Sequence, residues 1–132
     1  MRPDNPKEAV GVDVGSVRFG LARGSTIAKL AEPLKTVPAI KAIEEIRKLN
    51  PDLIVIGLPR SLDGNETGQT AYVRDWVRAA KQTIDKPFFW QDEALTSKAA
   101  DSSDSQAGRD AAAAAILLQD FLDTPESEWV RC

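Results

Sequence analysis

The segment Val10 to Ala22 constrains this chain more than any other. It reads Val-Gly-Val-Asp-Val-Gly-Ser-Val-Arg-Phe-Gly-Leu-Ala and alternates with period two. Val10, Val12 and Val14 fall on one face of a strand, and Gly11, Asp13 and Gly15 on the other. A carboxylate therefore stands mid-strand on a face with almost no side-chain bulk. Strand interiors disfavour both Asp and Gly. Such violations mark places where function overrides folding. Gly15 and Gly20 also let another backbone or a phosphate come close. Asp13 is thus the natural centre of a site, and the question is what other residues bring to it.

At 132 residues the chain suits one domain, residues 1–132, with a core that needs no staple. The net charge of −3 carries no global signal for nucleic acid, so any basic patch must be local. The one cysteine, Cys132, permits no intrachain disulfide and points to a reducing compartment. Histidine is absent. That removes His-ligated metals, a His general base and a Ser-His-Asp triad. Metal chemistry must then use oxygen ligands, which favours Mg2+ or Mn2+. Residues 1–7 lack an apolar targeting run and no stretch approaches a membrane span, so a cytoplasmic protein is expected.

Residues 1–7 read as a loose lead-in. Strands are expected at Ala9–Val14, Val17–Arg23 and Thr26–Leu30, forming an antiparallel meander. Thr36 can cap a helix with Pro38 in its first turn. Ile40, Ile43, Ile46 and Leu49 continue it at helical spacing until Asn50-Pro51. Leu53–Leu58 is a continuous apolar run, as in a strand covered on both faces. A polar loop from Arg60 to Gly68 leads to a helix with Val73, Trp76, Val77, Ala80 and Ile84 on one face. Phe88–Trp90 is the last strand, and a final helix spans Arg109 to Asp123. Thr124–Cys132 reads as a tail. The expected fold is α/β: a five-stranded mixed sheet, a β-β-β meander followed by α-β-α-β-α, with helices on both faces.

Acidic residues then converge on the strand ends. Asp13 is on the first strand. Asp92 and Glu93 end the last strand, where open α/β sheets place ligands, and alternation lets only one of the two share the site's face. Asp110 opens the final helix, in register with Ala113, Ala114, Leu117, Leu118 and Phe121 on its buried face. Three carboxylates without histidine suit hard divalent cations. Two such ions about 4 Å apart can activate a water and stabilise the leaving oxygen of a phosphodiester.

Four motifs resemble those of the YqgF-type family, described as Holliday-junction-resolvase-like proteins or pre-16S rRNA nucleases with a ribonuclease-H-like fold. The first is Gly11-Val12-Asp13-Val14-Gly15 with Arg18, Gly20 and Ala22. The second is Val55-Ile56-Gly57-Leu58-Pro59 followed by Asp63-Gly64. The third is Asp92-Glu93 with Leu95-Thr96-Ser97. The fourth is Asp110 with Ala112-Ala113 and Ile116-Leu117-Leu118-Gln119. Singly each is weak; in order they are specific, and they cover Val10 to Leu122. The resemblance implies Asp13, Glu93 and Asp110 as metal-binding catalytic acids. It implies phosphodiester cleavage in structured RNA, the 16S rRNA precursor being favoured, or in branched DNA. Two departures stand out. Ala94 replaces the usual Arg of the third motif, and the connector Asp101–Arg109 is short and acidic on balance. Arg18, Arg60, Lys98 and Arg109 remain as candidate phosphate contacts.

Each residue also has an ordinary reading. Asp13 could be satisfied by loop amides, one of Asp92 and Glu93 could cap the next segment, and Asp110 could be a helix-dipole partner. The arginines and Lys98 could be solvated surface charges. Trp129 could be an anchor or part of a loose end. Two other functions stay open. One is a non-catalytic module of the same fold that binds ribosomal RNA or the ribosome. The other is an ATP-binding sugar-kinase or actin-like fragment, for which the chain is short. Monomer and homodimer are equally compatible with the sequence.

Overall fold

The computed structural model describes residues 7–59, 66–92 and 106–132. In chain order the elements are β1 (Glu8–Asp13), β2 (Arg18–Ser25), β3 (Leu30–Pro38), α1 (Ala42–Leu49), β4 (Leu53–Leu58), α2 (Gly68–Lys81), β5 (Phe88–Asp92), α3 (Gln106–Asp123) and β6 (Val130–Arg131). The described strands form one sheet in the order β3-β2-β1-β4-β5-β6. The meander β1–β2–β3 is antiparallel, β1–β4 and β4–β5 are parallel, and β5–β6 is antiparallel. This is the expected α/β mixed sheet with helices on both faces.

The sheet separates two cores. On one side Val10, Val12, Ile54, Ile56 and Phe88 pack against Ala42 and Ile46 of α1 and Val73, Val77 and Ala80 of α2. On the other, Ala9, Ala22, Leu53 and Val55 pack against Ala114, Leu117, Leu118, Phe121 and Leu122 of α3. β4 lies between two parallel partners, and all six of its residues are buried. That is why its sequence is an unbroken apolar run. Full burial of each large side chain contributes about 1.5–3 kcal/mol.

The α3 side of β1 and β2 is built almost entirely from small residues. Pleating and register bring Ala9 opposite Gly24, Gly11 opposite Ala22, and Asp13 opposite Gly20. A methyl group on Gly11 would lie 2.8 Å from Leu118 Cβ and 3.0 Å from the Ala114 carbonyl oxygen. One on Gly24 would lie 2.6 Å from the Leu30 carbonyl oxygen of β3 and 3.0 Å from Leu122 Cδ1. At Gly11 the close approach that glycine permits is therefore used by α3.

Three expectations are corrected. Among the described residues the sheet has six strands rather than five, because Thr124–Cys132 is no loose tail: it carries β6. Two residues are too few to show a period, and what fixes them is Trp129. Its ring stacks on Phe121 with centroids 4.2 Å apart, and its Nε1 donates to the carbonyls of Phe121 at 3.2 Å and Thr124 at 3.0 Å. The Cys132 amide then donates to the Phe88 carbonyl at 2.9 Å.

The third strand is Leu30–Pro38, not Thr26–Leu30. The latter residues form the turn before it, with Lys29 at φ 56°. Thr36 and Pro38 accordingly end a strand rather than start a helix. β3 is the sheet edge, where proline sacrifices no ladder hydrogen bond, and the register slips between Leu21 and Ala22, opposite Pro33 and Lys35. The helix begins at Ala42 after a 3-10 turn at Ala39–Lys41. Ile40 is left 92% exposed as a result. Asn50 adopts φ 49° and closes α1, as the Asn50-Pro51 signal predicts. No helix among the described residues is long and apolar enough to cross a membrane.

Candidate active site

Asp13 is the last residue of β1 rather than a mid-strand residue. It is half-buried on the α3 side of the sheet. The turn that follows is braced from α2. Gln69 Nε2 donates to the Val14 carbonyl at 3.4 Å, and the Tyr72 hydroxyl donates to the Gly15 carbonyl at 3.3 Å. Neither brace has a sequence signal, because both donors lie more than fifty residues away.

α3 begins at Gln106, three residues before the expected Arg109. Asp110 is thus its fifth residue and lies beyond the first turn, where the helix dipole acts on charges. The dipole-partner explanation loses force accordingly. The backbone of Asp110 rests on Gly20: a methyl group there would collide with the Asp110 carbonyl oxygen. Gly20 pairs directly with Asp13, and opposed residues in an antiparallel ladder lie about 5 Å apart between Cα atoms. The backbone of Asp110 therefore lies against the β2 residue that pairs with Asp13.

The Arg18 Nε donates to Asp110 Oδ2 at 3.1 Å, with side-chain exposures of 44% for Arg18 and 18% for Asp110. Arg18 is the first residue of β2, two positions before Gly20. Arg109 is half-buried beside Asp110 on α3. Asp92 ends β5, exposed. Phe88 and Trp90 pack on the α1–α2 side and Phe89 on the α3 side, so the pleat puts Asp92 on the face opposite Asp13. Glu93, Arg60 and Lys98 lie outside the described residues, as do Ala94 and most of the connector. An open cavity of about 660 Å³ lies at the far end of β1 and β2, lined by Glu8, Arg23, Glu32 and Asp52 among others, and includes none of the candidate residues that are among the described ones.

The family model described as "RuvX: Holliday junction resolvase" matches residues 7–124. The chain belongs to the RuvX family. A "Putative pre-16S rRNA nuclease" of Fusobacterium nucleatum is 34% identical over 134 residues, covering 89% of this chain and 97% of that protein. One of the same name from Roseiflexus sp. is 33% identical over 135 residues, covering 90% and 96%. Among solved structures, Thermus thermophilus RuvC in complex with a Holliday junction substrate superposes with a TM-score of 0.61. It is 14% identical and covers 95% of this chain and 99% of that one, a likeness of fold.

In this RuvX-family chain the donor chemistry fits a hard divalent cation. Asp13 and Asp110 offer only oxygen, and Mg2+ is commonly held by one or two carboxylates with substrate phosphates completing its shell. The Arg18 guanidinium already marks the Asp110 carboxylate as a seat for positive charge. Among the described residues no three acidic, His or Cys side chains form a ready cluster. The third acid of the expected set, Glu93, is outside them.

Proposed function

We propose that this chain is a divalent-metal-dependent nuclease that hydrolyses phosphodiester bonds in structured RNA, with 5′-end processing of the 16S rRNA precursor as the favoured role. Asp13, Asp110 and Glu93 are the acids assigned to Mg2+ or Mn2+. The placement of Asp92 on the opposite face favours Glu93 as the third. The observation that carries the reading is the seating of Asp110 on Gly20, directly across the ladder from Asp13. The names of the relatives support the substrate.

Bound divalent cations supply water activation and charge stabilisation at the leaving oxygen. The chain's own part is to hold carboxylates at fixed separation on a strand and a helix, and to offer Arg18 and Arg109 to phosphate, with Arg60 and Lys98 as further candidates. A chain without histidine needs no side-chain nucleophile for such chemistry.

The test is Asp13→Asn. Mg2+- or Mn2+-dependent cleavage of a 16S precursor transcript is lost while the circular dichroism spectrum is unchanged. Cleavage that survives the substitution, or persists in chelator, overturns the proposal. Tight RNA binding without turnover by the wild-type chain would favour the non-catalytic module.

A further inference from the structure

Arg18 and a cation at Asp110 would compete for the same carboxylate, a consequence that rests on the metal reading above. Arg18 holds Asp110 through Nε alone, at 3.1 Å, and its two terminal nitrogens meet no partner among the described residues. The two side chains differ in freedom. Arg18 is 44% exposed and can swing into water, whereas Asp110 is 18% exposed on a helix seated against Gly20. An ion pair with so exposed a partner is weak, so a cation ligated by Asp110 has little to displace.

We propose that Arg18 is an exchangeable counter-charge. It neutralises Asp110 while no metal is bound, and metal ligation at Asp110 releases it to grip a substrate phosphate. A guanidinium is suited to that second task, because paired N–H groups match phosphate oxygens bidentately. Metal and substrate then favour one another, since each relieves the cost the other would meet.

The full chain is titrated with MnCl2 alone, followed by calorimetry, as wild type, Arg18→Gln and Arg23→Gln. Arg23 pairs with Glu8 and Glu32, each at 3.7 Å, at the other end of β2 and controls for net charge. Arg18→Gln tightens Mn2+ binding roughly two- to fivefold, the range one exposed ion pair allows, and Arg23→Gln leaves it unchanged. In the wild type, the Arg18 Nε–H resonance shifts when Mg2+ is added, a readout that needs no variant. Mn2+ affinity that is unchanged or weaker in Arg18→Gln overturns the exchange and leaves the metal site standing. A wild-type chain that binds no Mn2+ overturns both.

Discussion

Asp110 rests its carbonyl oxygen where the first side-chain carbon of residue 20 would sit, so that only glycine can occupy the position. Gly20→Ala must push α3 away from the sheet. Overpacking of this kind costs about 1–3 kcal/mol, and the shift carries Asp110 away from Asp13. Urea denaturation and transcript cleavage should both report the loss. Gly11→Ala, which meets Leu118 Cβ at 2.8 Å further along the helix, should cost comparable stability but less cleavage. A Gly20→Ala chain that melts and cleaves like the wild type is incompatible with the seating described.

Trp129→Ala should lower stability by about 2–4 kcal/mol, somewhat less than the roughly 3–5 kcal/mol for a fully buried aromatic, because Trp129 is half-buried. Trp129 contacts Phe89 and Phe121 with ring centroids 5.5 Å and 4.2 Å away, and both its acceptors are backbone carbonyls. Loss of the β6 amide protections in hydrogen exchange, with β1 protection retained, would locate the damage at the sheet's far edge.

The start of α2 depends on two threonines. Thr67 caps the helix and Thr70 closes a capping box. The buried Thr70 hydroxyl also donates to the Pro59 carbonyl at 2.6 Å, tying the helix to the end of β4. Thr67→Ala should cost about 1 kcal/mol. Thr70→Val leaves the Pro59 carbonyl without its donor and should cost about 1–3 kcal/mol. Thermal melts of the two variants decide the order.

Alkaline pH should weaken the fold through Cys132. Burial pushes its thiol up from 9.0 to about 12, against the opposing pull of Lys81, Arg74 and Arg131. The folded chain keeps a proton that the unfolded chain releases, so this contribution is full below pH 9.0 and is lost as pH climbs toward 12. Because only the thiolate reacts, iodoacetamide at about pH 9 should label the native thiol far more slowly than the thiol in urea.

The parts of the fold legible in sequence are those whose burial is periodic. Leu53–Leu58 is the strand its apolar run predicts, and Ala114, Leu117, Leu118 and Phe121 face the sheet as their spacing requires. Ala113, expected with them, is only half-buried, because α3 beds on a narrow strip of Gly and Ala. β3 was illegible for a different reason. At a sheet edge, proline and exposed polar residues are tolerated, so the strand lacks the signature of a central one. β6 is held by a side-chain anchor rather than by any pattern of its own. As for the site, the sequence singles out Asp13 and Asp110 as residues and Gly20 as a place where another backbone comes close, but not that this backbone is Asp110's, nor the Arg18–Asp110 pair. Those depend on which face of β2 meets which turn of α3.

α3 draws its position chiefly from β2 and β3, and then from β1. The edge strand, distant in sequence from the candidate acid, thereby helps to fix where that acid stands.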